Sequence, residues 1–474
     1  MPALTEVEVA PLAPDRFESV LEPEQYDAFR ETVEESRQLF EGRTIWNVNS
    51  TAAGGGVAEM LGPLLAYARG AGVDARWIVI SGNAPFFQVT KRIHNHLHGA
   101  TGDGGGLGPA EHEAYEGALA PNIAELAERV GHDDVVLLHD PQTAGMAPRL
   151  SETGALVIWR CHVGLDMAND IAREAWRFLI PYVQGADGYI FSREAFSWEG
   201  LEKDKITIIP PSIDAFSPKN QDLGEGTVAA ILDVSGLVPN GASAPPVFTH
   251  VDGSEGRVTR RVELFEDAPL TPDDKVVLQV SRWDRLKDPI GVIEGFAEHV
   301  AGEVDAHLVY AGPAVAAVSD DPEGAEVLAE SRAAWEALAP DVRRRIHLAA
   351  LPMDDGQENA AIVNALQRYA DVVVQKSIAE GFGLTVSEAM WKGRPVVGTK
   401  IGGIQDQIVH GQTGYLIDDP RDLRAYGECV RTLLEDPQAA ERLGSEARRR
   451  VRDDFLGARH LAQYLALIQR LRPS

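Results

Sequence analysis

Two cysteines, Cys161 and Cys429, are all that the 474-residue chain carries, and they lie in different halves of it. That is too few and too far apart for a disulfide framework or a cysteine metal cluster. Lysine is scarce too, at nine, and basic residues total 44 against 72 acidic ones, a net charge of −28. So negative a surface repels nucleic acid and anionic membranes, which excludes both as general partners. No stretch approaches the roughly 20 apolar residues of a membrane span, and the start Met1-Pro-Ala-Leu-Thr-Glu6 lacks a basic region followed by an apolar core. The expected location is the cytoplasm.

What is present is a long alternation of short apolar strands and helical patterns, the signature of βαβ units and parallel sheets. Strands are expected near Thr44–Asn49, Arg76–Ile80, Val135–Leu138, Leu156–Trp159, Gly188–Phe191 and Ile206–Ile209. A second series falls near Val276–Val280, His307–Tyr310, Ile346–Ala349, Asp371–Gln375, Pro395–Gly398 and Tyr415–Ile417. Between the series, Pro210-Pro-Ser-Ile-Asp-Ala-Phe-Ser-Pro218 suits an extended hinge. The predicted fold class is α/β, with two Rossmann-like domains facing a central cleft, residues 41–213 and 214–455. Residues 1–40 read as a helical extension outside both sheets, residues 456–474 as an amphipathic helix, and residues 219–270 carry no assignable pattern.

Glu380-Gly-Phe-Gly-Leu-Thr-Val-Ser-Glu388 is the most informative segment. Glycines at 381 and 383 let the chain turn tightly and bring backbone N–H groups close to a ligand. Leu384 to Lys392 then reads as a helix, whose N-terminus offers unpaired N–H donors to a diphosphate. Gly381, Phe382, Gly383, Leu384 and Thr385 are therefore candidate donor-binding positions. Glu388, further along the helix, suits the vicinal hydroxyls of a ribose, which leaves Glu380 for a sugar. Upstream, Val276-Val-Leu-Gln-Val-Ser-Arg-Trp-Asp-Arg-Leu-Lys-Asp288 sets Arg282 and Lys287 after a strand, at the end where open α/β sheets bind ligands.

Taken with the strand Arg394–Gly398, the turn Ile401-Gly-Gly-Ile404 and His410-Gly-Gln-Thr-Gly414, this order resembles the donor half of the retaining family 4 glycosyltransferases, which have the GT-B fold. The resemblance places Arg282 and Lys287 on the donor diphosphate. Fixed cations there stabilise a leaving group that gains charge in the transition state. In the first half, Asn47-Val-Asn-Ser-Thr-Ala-Ala-Gly-Gly-Gly-Val-Ala-Glu59 is a strand, a glycine loop and a helix, and it departs from the G-x-G-x-x-G of nicotinamide sites. That string, with Val89–Gly99, Leu138–Gln142 and Val157–Gly164, is similar to trehalose glycosyltransferring synthases, and retaining trehalose phosphorylases share much of it.

From that likeness, Gly55 and Gly56 approach the donor, His162 faces the sugar being transferred, and His98, Asp140, Gln142 and Arg160 meet the acceptor. On a strand, the spacing of His94, His96 and His98 would put all three on one face, as a zinc site needs; no carboxylate or cysteine accompanies them, and a sugar-contacting loop is expected instead. The implied reaction is a reversible, configuration-retaining transfer from a nucleoside diphosphate glucose to free glucose, giving trehalose. No tightly bound cofactor and no protein metal site are expected, although Mg²⁺ can stimulate such a reaction, and the expected assembly is a homodimer. Open alternatives are a retaining trehalose phosphorylase, a nicotinamide-dependent dehydrogenase and a non-catalytic sugar-binding protein.

Overall fold

A computed structural model describes residues 3–52, 55–315 and 322–472. The chain divides into two compact units, Met1–Ser212 with Phe455–Ser474, and Ile213–Asp454. Each is built around one seven-stranded sheet.

The first unit holds strands β1 (Leu4–Val7), β2 (Thr44–Asn49), β3 (Asp74–Ile80), β4 (Val135–His139), β5 (Leu156–Cys161), β6 (Gly188–Phe191) and β7 (Ile206–Ile208). They run in the order β1-β3-β2-β4-β5-β6-β7, parallel except for β1. Every residue of β4, β5 and β6 is buried. Helices on both faces of a parallel sheet account for that, and for the absence of a polar alternation in these strands. One apolar layer gathers Trp46, Val48, Val136, Leu138, Val157 and Trp159, and the other Ile45, Leu137, Ile158 and Ile190.

Residues 1–40 correct the sequence reading in part. They are helical over Pro14–Ser19 and Pro23–Leu39 as expected, but they do not lie outside both sheets, because β1 pairs antiparallel with β3, Leu4 opposite Ile80 through Val7 opposite Trp77. Glu125 Oε2 accepts from the Ala3 and Leu4 amides at 2.7 and 3.3 Å, and the helix Pro23–Leu39 buries Phe29. A four-residue edge strand has too little pattern of its own to be legible; the partner strand and Glu125 define it. The last helix, Gly457–Leu471, buries Leu465, Leu467 and Ile468 in the same unit.

The second unit contains the short antiparallel pair β8 (Val247–Thr249) and β9 (Glu255–Arg257). Its main sheet is formed by β10 (Glu263–Phe265), β11 (Val276–Val280), β12 (His307–Pro313), β13 (Ile346–Leu351), β14 (Val372–Gln375), β15 (Val396–Thr399) and β16 (Tyr415–Ile417). Their order is β10-β13-β12-β11-β14-β15-β16, with only β10 antiparallel. Residues 219–270, unassigned from sequence, supply a helix (Glu225–Ser235), the β8–β9 pair and the edge strand β10. Buried Glu358 anchors this tract by accepting from the Thr259 and Arg260 amides at 2.5 and 2.7 Å.

Candidate active site

In the second unit the carboxyl ends of the neighbouring strands β11, β14 and β15 carry three consecutive turns. After β14 the chain runs through Lys376 and Ser377 to Glu380, then turns at Gly383, whose φ of +79° opens the helix Leu384–Trp391. An L side chain is disfavoured at such a φ, so the glycine is a backbone requirement. The turn is clamped from both sides. Ile378 N–H donates to Leu286 O at 2.7 Å, Gly403 N–H to Gly381 O at 2.8 Å, and Gln407 Nε2 to Phe382 O at 2.6 Å. Gly402 packs so tightly that a Cβ there would lie 1.9 Å from Glu380 O. The backbone of Gly381, Phe382 and Gly383 is thus pinned, and the first-turn amides from Leu384 and Thr385 lead the helix with no carbonyl of their own helix to meet. The Thr385 hydroxyl donates to Gln375 Oε1 at 2.8 Å.

Lys287 and Glu380 come together as an ion pair, Nζ to Oε2 at 2.6 Å, with both side chains mostly buried. Ser377 Oγ lies 3.4 Å from the same carboxylate oxygen. Behind them, fully buried Gln279 accepts from the Lys376 amide through Oε1 and donates from Nε2 to Lys287 O at 2.8 Å, which locks the β11 and β14 turns to each other. Lys376 itself, buried, bonds Asp288. Arg282 belongs to the same turn but extends outward. Its side chain is 68% exposed and its guanidinium meets Asp284 at 3.1 Å.

Glu388 sits on the helix with 3% exposure. Its Oε1 is 3.7 Å from Lys219 Nζ, whereas Oε2 is buried with no hydrogen-bond partner. Beneath it, buried Lys392 donates to Asn220 Oδ1 and Glu388 O, both at 3.0 Å. Burial pushes the Lys392 ammonium well down, opposed by the charge of Glu388. Lys219, Lys376, Asp288 and Gln279 are members of this cluster that the sequence reading did not name. Lys376 follows an apolar strand as Lys287 does, a positional signal that could have found it; Lys219 lay in the tract without pattern.

The first unit has a second constellation at the ends of β2, β4 and β5. His139 Nε2 faces Asn47 Oδ1 at 3.2 Å, and its Nδ1 faces His162 Nε2 at 3.1 Å, the two rings nearly parallel. With Asn47 Oδ1 accepting, His139 carries its proton on Nε2 and accepts on Nδ1, so His162 donates through Nε2 and keeps Nδ1 unprotonated. Burial pushes His139 down to about 3 and His162 well below its ordinary value, each aided by the nearby charge of Arg160. Asp140, at φ +64°, accepts the His162 amide at 2.8 Å on Oδ1 and is pushed up to about 6 by desolvation. Gln142 lies half-buried on the same short helix, Asp140–Ala144. Gly55 (φ +83°) caps the helix that begins at Gly56; Ala53 and Gly54 of that loop lie outside the described residues.

Two expectations are corrected here. Arg160 does not reach toward an acceptor. It is fully buried and donates to His460 Nε2 (2.7 Å), Tyr464 Oη (2.5 Å) and Ile209 O (3.0 Å). Side chains alternate along β5, so Arg160 shares the face of Leu156 and Ile158, which the last helix covers, while Val157, Trp159 and Cys161 point the other way. Likewise, His94, His96 and His98 lie neither on the face of a strand nor in a loop. They fall on the helix Ala84–Leu97 and its cap, where the rings of His98 and His94 meet edge to face at 4.8 Å and buried His96 faces Glu174. Asn83 starts this helix by accepting the Phe86 amide at 3.0 Å, a cap that overrides the apparent alternation. Among the described residues no group of three His, Cys, Asp or Glu side chains is arranged to hold a metal ion.

Comparisons with known proteins agree with this division. Residues 47–198 match the trehalose synthase N-terminal domain family, and residues 261–450 the group 1 glycosyl transferases. A trehalose synthase of Pyrococcus horikoshii is 34% identical over 449 residues, 93% of this chain and 92% of its own. A trehalose phosphorylase of Pleurotus sajor-caju is 25% identical over 78% of this chain and 50% of its own. Among solved structures, an α,α-trehalose-phosphate synthase (UDP-forming) of Burkholderia vietnamiensis superposes with a TM-score of 0.65 at 14% identity, covering 90% of this chain and 99% of its own.

Proposed function

Because the chain belongs to the trehalose synthase family of glycosyltransferases, with the GT-B fold, we propose that it transfers an α-glucosyl group from a nucleoside diphosphate glucose to the anomeric hydroxyl of free glucose. Group 1 glycosyltransferases use nucleotide-sugar donors. The bond from the glucosyl anomeric carbon to the diphosphate breaks, a bond to the acceptor oxygen forms on the same face, and the departing phosphate oxygen takes the acceptor proton. The products are α,α-trehalose and a nucleoside diphosphate.

One observation carries the donor assignment. Glu388 Oε2 is a buried acceptor with no partner, a costly state for a carboxylate, and a ribose diol would relieve it. Lys287 and Glu380, paired at 2.6 Å, would part as the donor enters, the ammonium moving to the diphosphate and the carboxylate to the glucosyl hydroxyls. Arg282, extended into solvent, is available to fold over the same phosphates, and the amides at the helix start complete the anion site. In the first unit, His162 presents an unprotonated Nδ1 and Asp140 a carboxylate for sugar hydroxyls, with Asn47 and His139 fixing the imidazole.

Thermal protection separates this from phosphorolysis. A nucleoside diphosphate that binds the folded chain stabilises it by RT ln(1 + L/Kd), where L is its free concentration, and so raises its melting temperature with the logarithm of that concentration. Protection by UDP, ADP or GDP that is lost in Glu388→Ala supports the donor site. Protection by inorganic phosphate with none by any nucleoside diphosphate would assign the chain to the phosphorylases.

A further inference from the structure

At the end of the second unit's sheet opposite the donor turns lies a cavity of about 730 Å³. The helix Glu225–Ser235 forms one wall, and the residues entering β14 and β15 form the other. Arg368 and Tyr369 precede β14 and Arg394 precedes β15, whereas Glu380 follows the carboxyl end of β14. The strand between them is roughly 13 Å long at about 3.3 Å per residue, so the cavity is separate from the site described above.

The two guanidinium groups differ. Arg368 is satisfied by Asp222 at 2.9 Å, Asn364 Oδ1 at 3.0 Å and Gln221 O at 2.9 Å. Arg394 is not. It donates from Nη1 to Ala370 O at 3.2 Å, its Nε is buried without a partner, and no carboxylate pairs with it among the described residues. Burial holds Arg394 below its ordinary value, opposed by the charge of Asp371, which lies near it without pairing. A half-buried guanidinium with one carbonyl partner has donors left for a further anion. The rest of the lining is mixed, with Val228, Leu232, Val238 and the ring of Tyr369 beside Asn240 and Ser243. Glu225, the carboxylate on the lining, is exposed to solvent.

We propose that this cavity is a second ligand site, for a small organic anion such as a phosphomonoester with an apolar body, seated on Arg394 and against the Tyr369 ring. Its volume falls within the range of small-molecule sites, and apolar side chains with a few placed polar groups are their usual lining. An arginine fork suits a phosphoryl group better than a lysine would.

Phenyl phosphate is the probe, titrated by calorimetry with the donor site filled by a saturating nucleoside diphosphate. Saturable binding in the low-millimolar range or tighter is expected, at least tenfold weaker for phenol and for inorganic phosphate. Arg394→Gln should weaken it at least tenfold, and Ala229→Phe, which fills the cavity from the helix without touching the cation, should abolish it. If Arg394→Gln fails to fold, Ala229→Phe decides. No binding by the parent, unchanged affinity in either folded variant, equal affinity for phosphate alone, or displacement by the nucleoside diphosphate would each overturn the proposal.

Discussion

At the scale of single residues, charge placement decides what each side chain can do. Glu380 lies against Lys287 and Glu388 beside Lys219, so their truncations should separate. On the proposed roles, Glu380→Ala would remove contact with the reacting sugar and lower kcat strongly, and Glu388→Ala would remove a contact remote from the reacting atoms and mostly raise donor KM. Steady-state kinetics on both variants check this; equal loss of kcat with unchanged donor KM would refute the division. Lys287→Ala should lower kcat by roughly 10²–10³, the usual worth of one fixed leaving-group contact. Arg282, 68% exposed, must spend side-chain entropy to reach the same phosphates, so Arg282→Ala should cost less than Lys287→Ala. A larger loss for Arg282→Ala at saturating donor would contradict that ranking. These residues stood out as candidates in the sequence because a glycine turn, two carboxylates and a cation after a strand are local features. It misassigned Arg160 because the direction of a strand side chain depends on what covers each face, here the last helix, some 300 positions away.

At the scale of elements, the last helix is tied to the site by Arg160. Its guanidinium bridges His460 and Tyr464 on that helix to Ile209 O, and His460 Nδ1 meets Ser212 Oγ at 2.7 Å. Arg160→Leu leaves a buried carbonyl and an imidazole without their donor, at about 1–3 kcal/mol each, so the melting temperature should fall by several degrees. An unchanged melting temperature would show that the tie carries no weight. The same region sets a pH dependence. His139, His162 and His460 are all held below the ordinary histidine value by burial. As pH drops below about 6.5 the unfolded chain takes protons that the folded unit refuses, and stability falls by about 1.4 kcal/mol per pH unit for each histidine. Asp140, raised to about 6, binds its proton more readily in the folded unit and returns part of that loss between about pH 6 and pH 4. Urea midpoints should therefore decline from pH 7 to pH 5; a flat profile would contradict three neutral buried histidines. The central strands were readable because parallel strands buried on both faces are continuous apolar runs. β1, β8, β9 and β10, three or four residues each, have no such run and exist through pairing and through anchors such as Glu125 and Glu358. The helix Ala84–Leu97 was misread because alternate histidines imitate a strand, while Asn83 capped a helix.

At the scale of the whole molecule, no described helix is long and apolar enough to cross a membrane, and acidic residues outnumber basic ones by 72 to 44. The identity of the acceptor is the broadest claim that follows. Free glucose should be preferred over glucose 6-phosphate, because the polar groups around His162 and Asp140 offer a neutral imidazole and a carboxylate rather than a cation set for a phosphate. 1-Deoxyglucose, lacking the attacking hydroxyl, should give no product. The most direct measurement is to incubate the enzyme with glucose and, separately, UDP-, ADP- and GDP-glucose, and to identify the disaccharide by NMR. α,α-Trehalose formed with stoichiometric release of nucleoside diphosphate is the expected result; trehalose 6-phosphate in a parallel run with glucose 6-phosphate as the better acceptor, or any β-linked disaccharide, would contradict it.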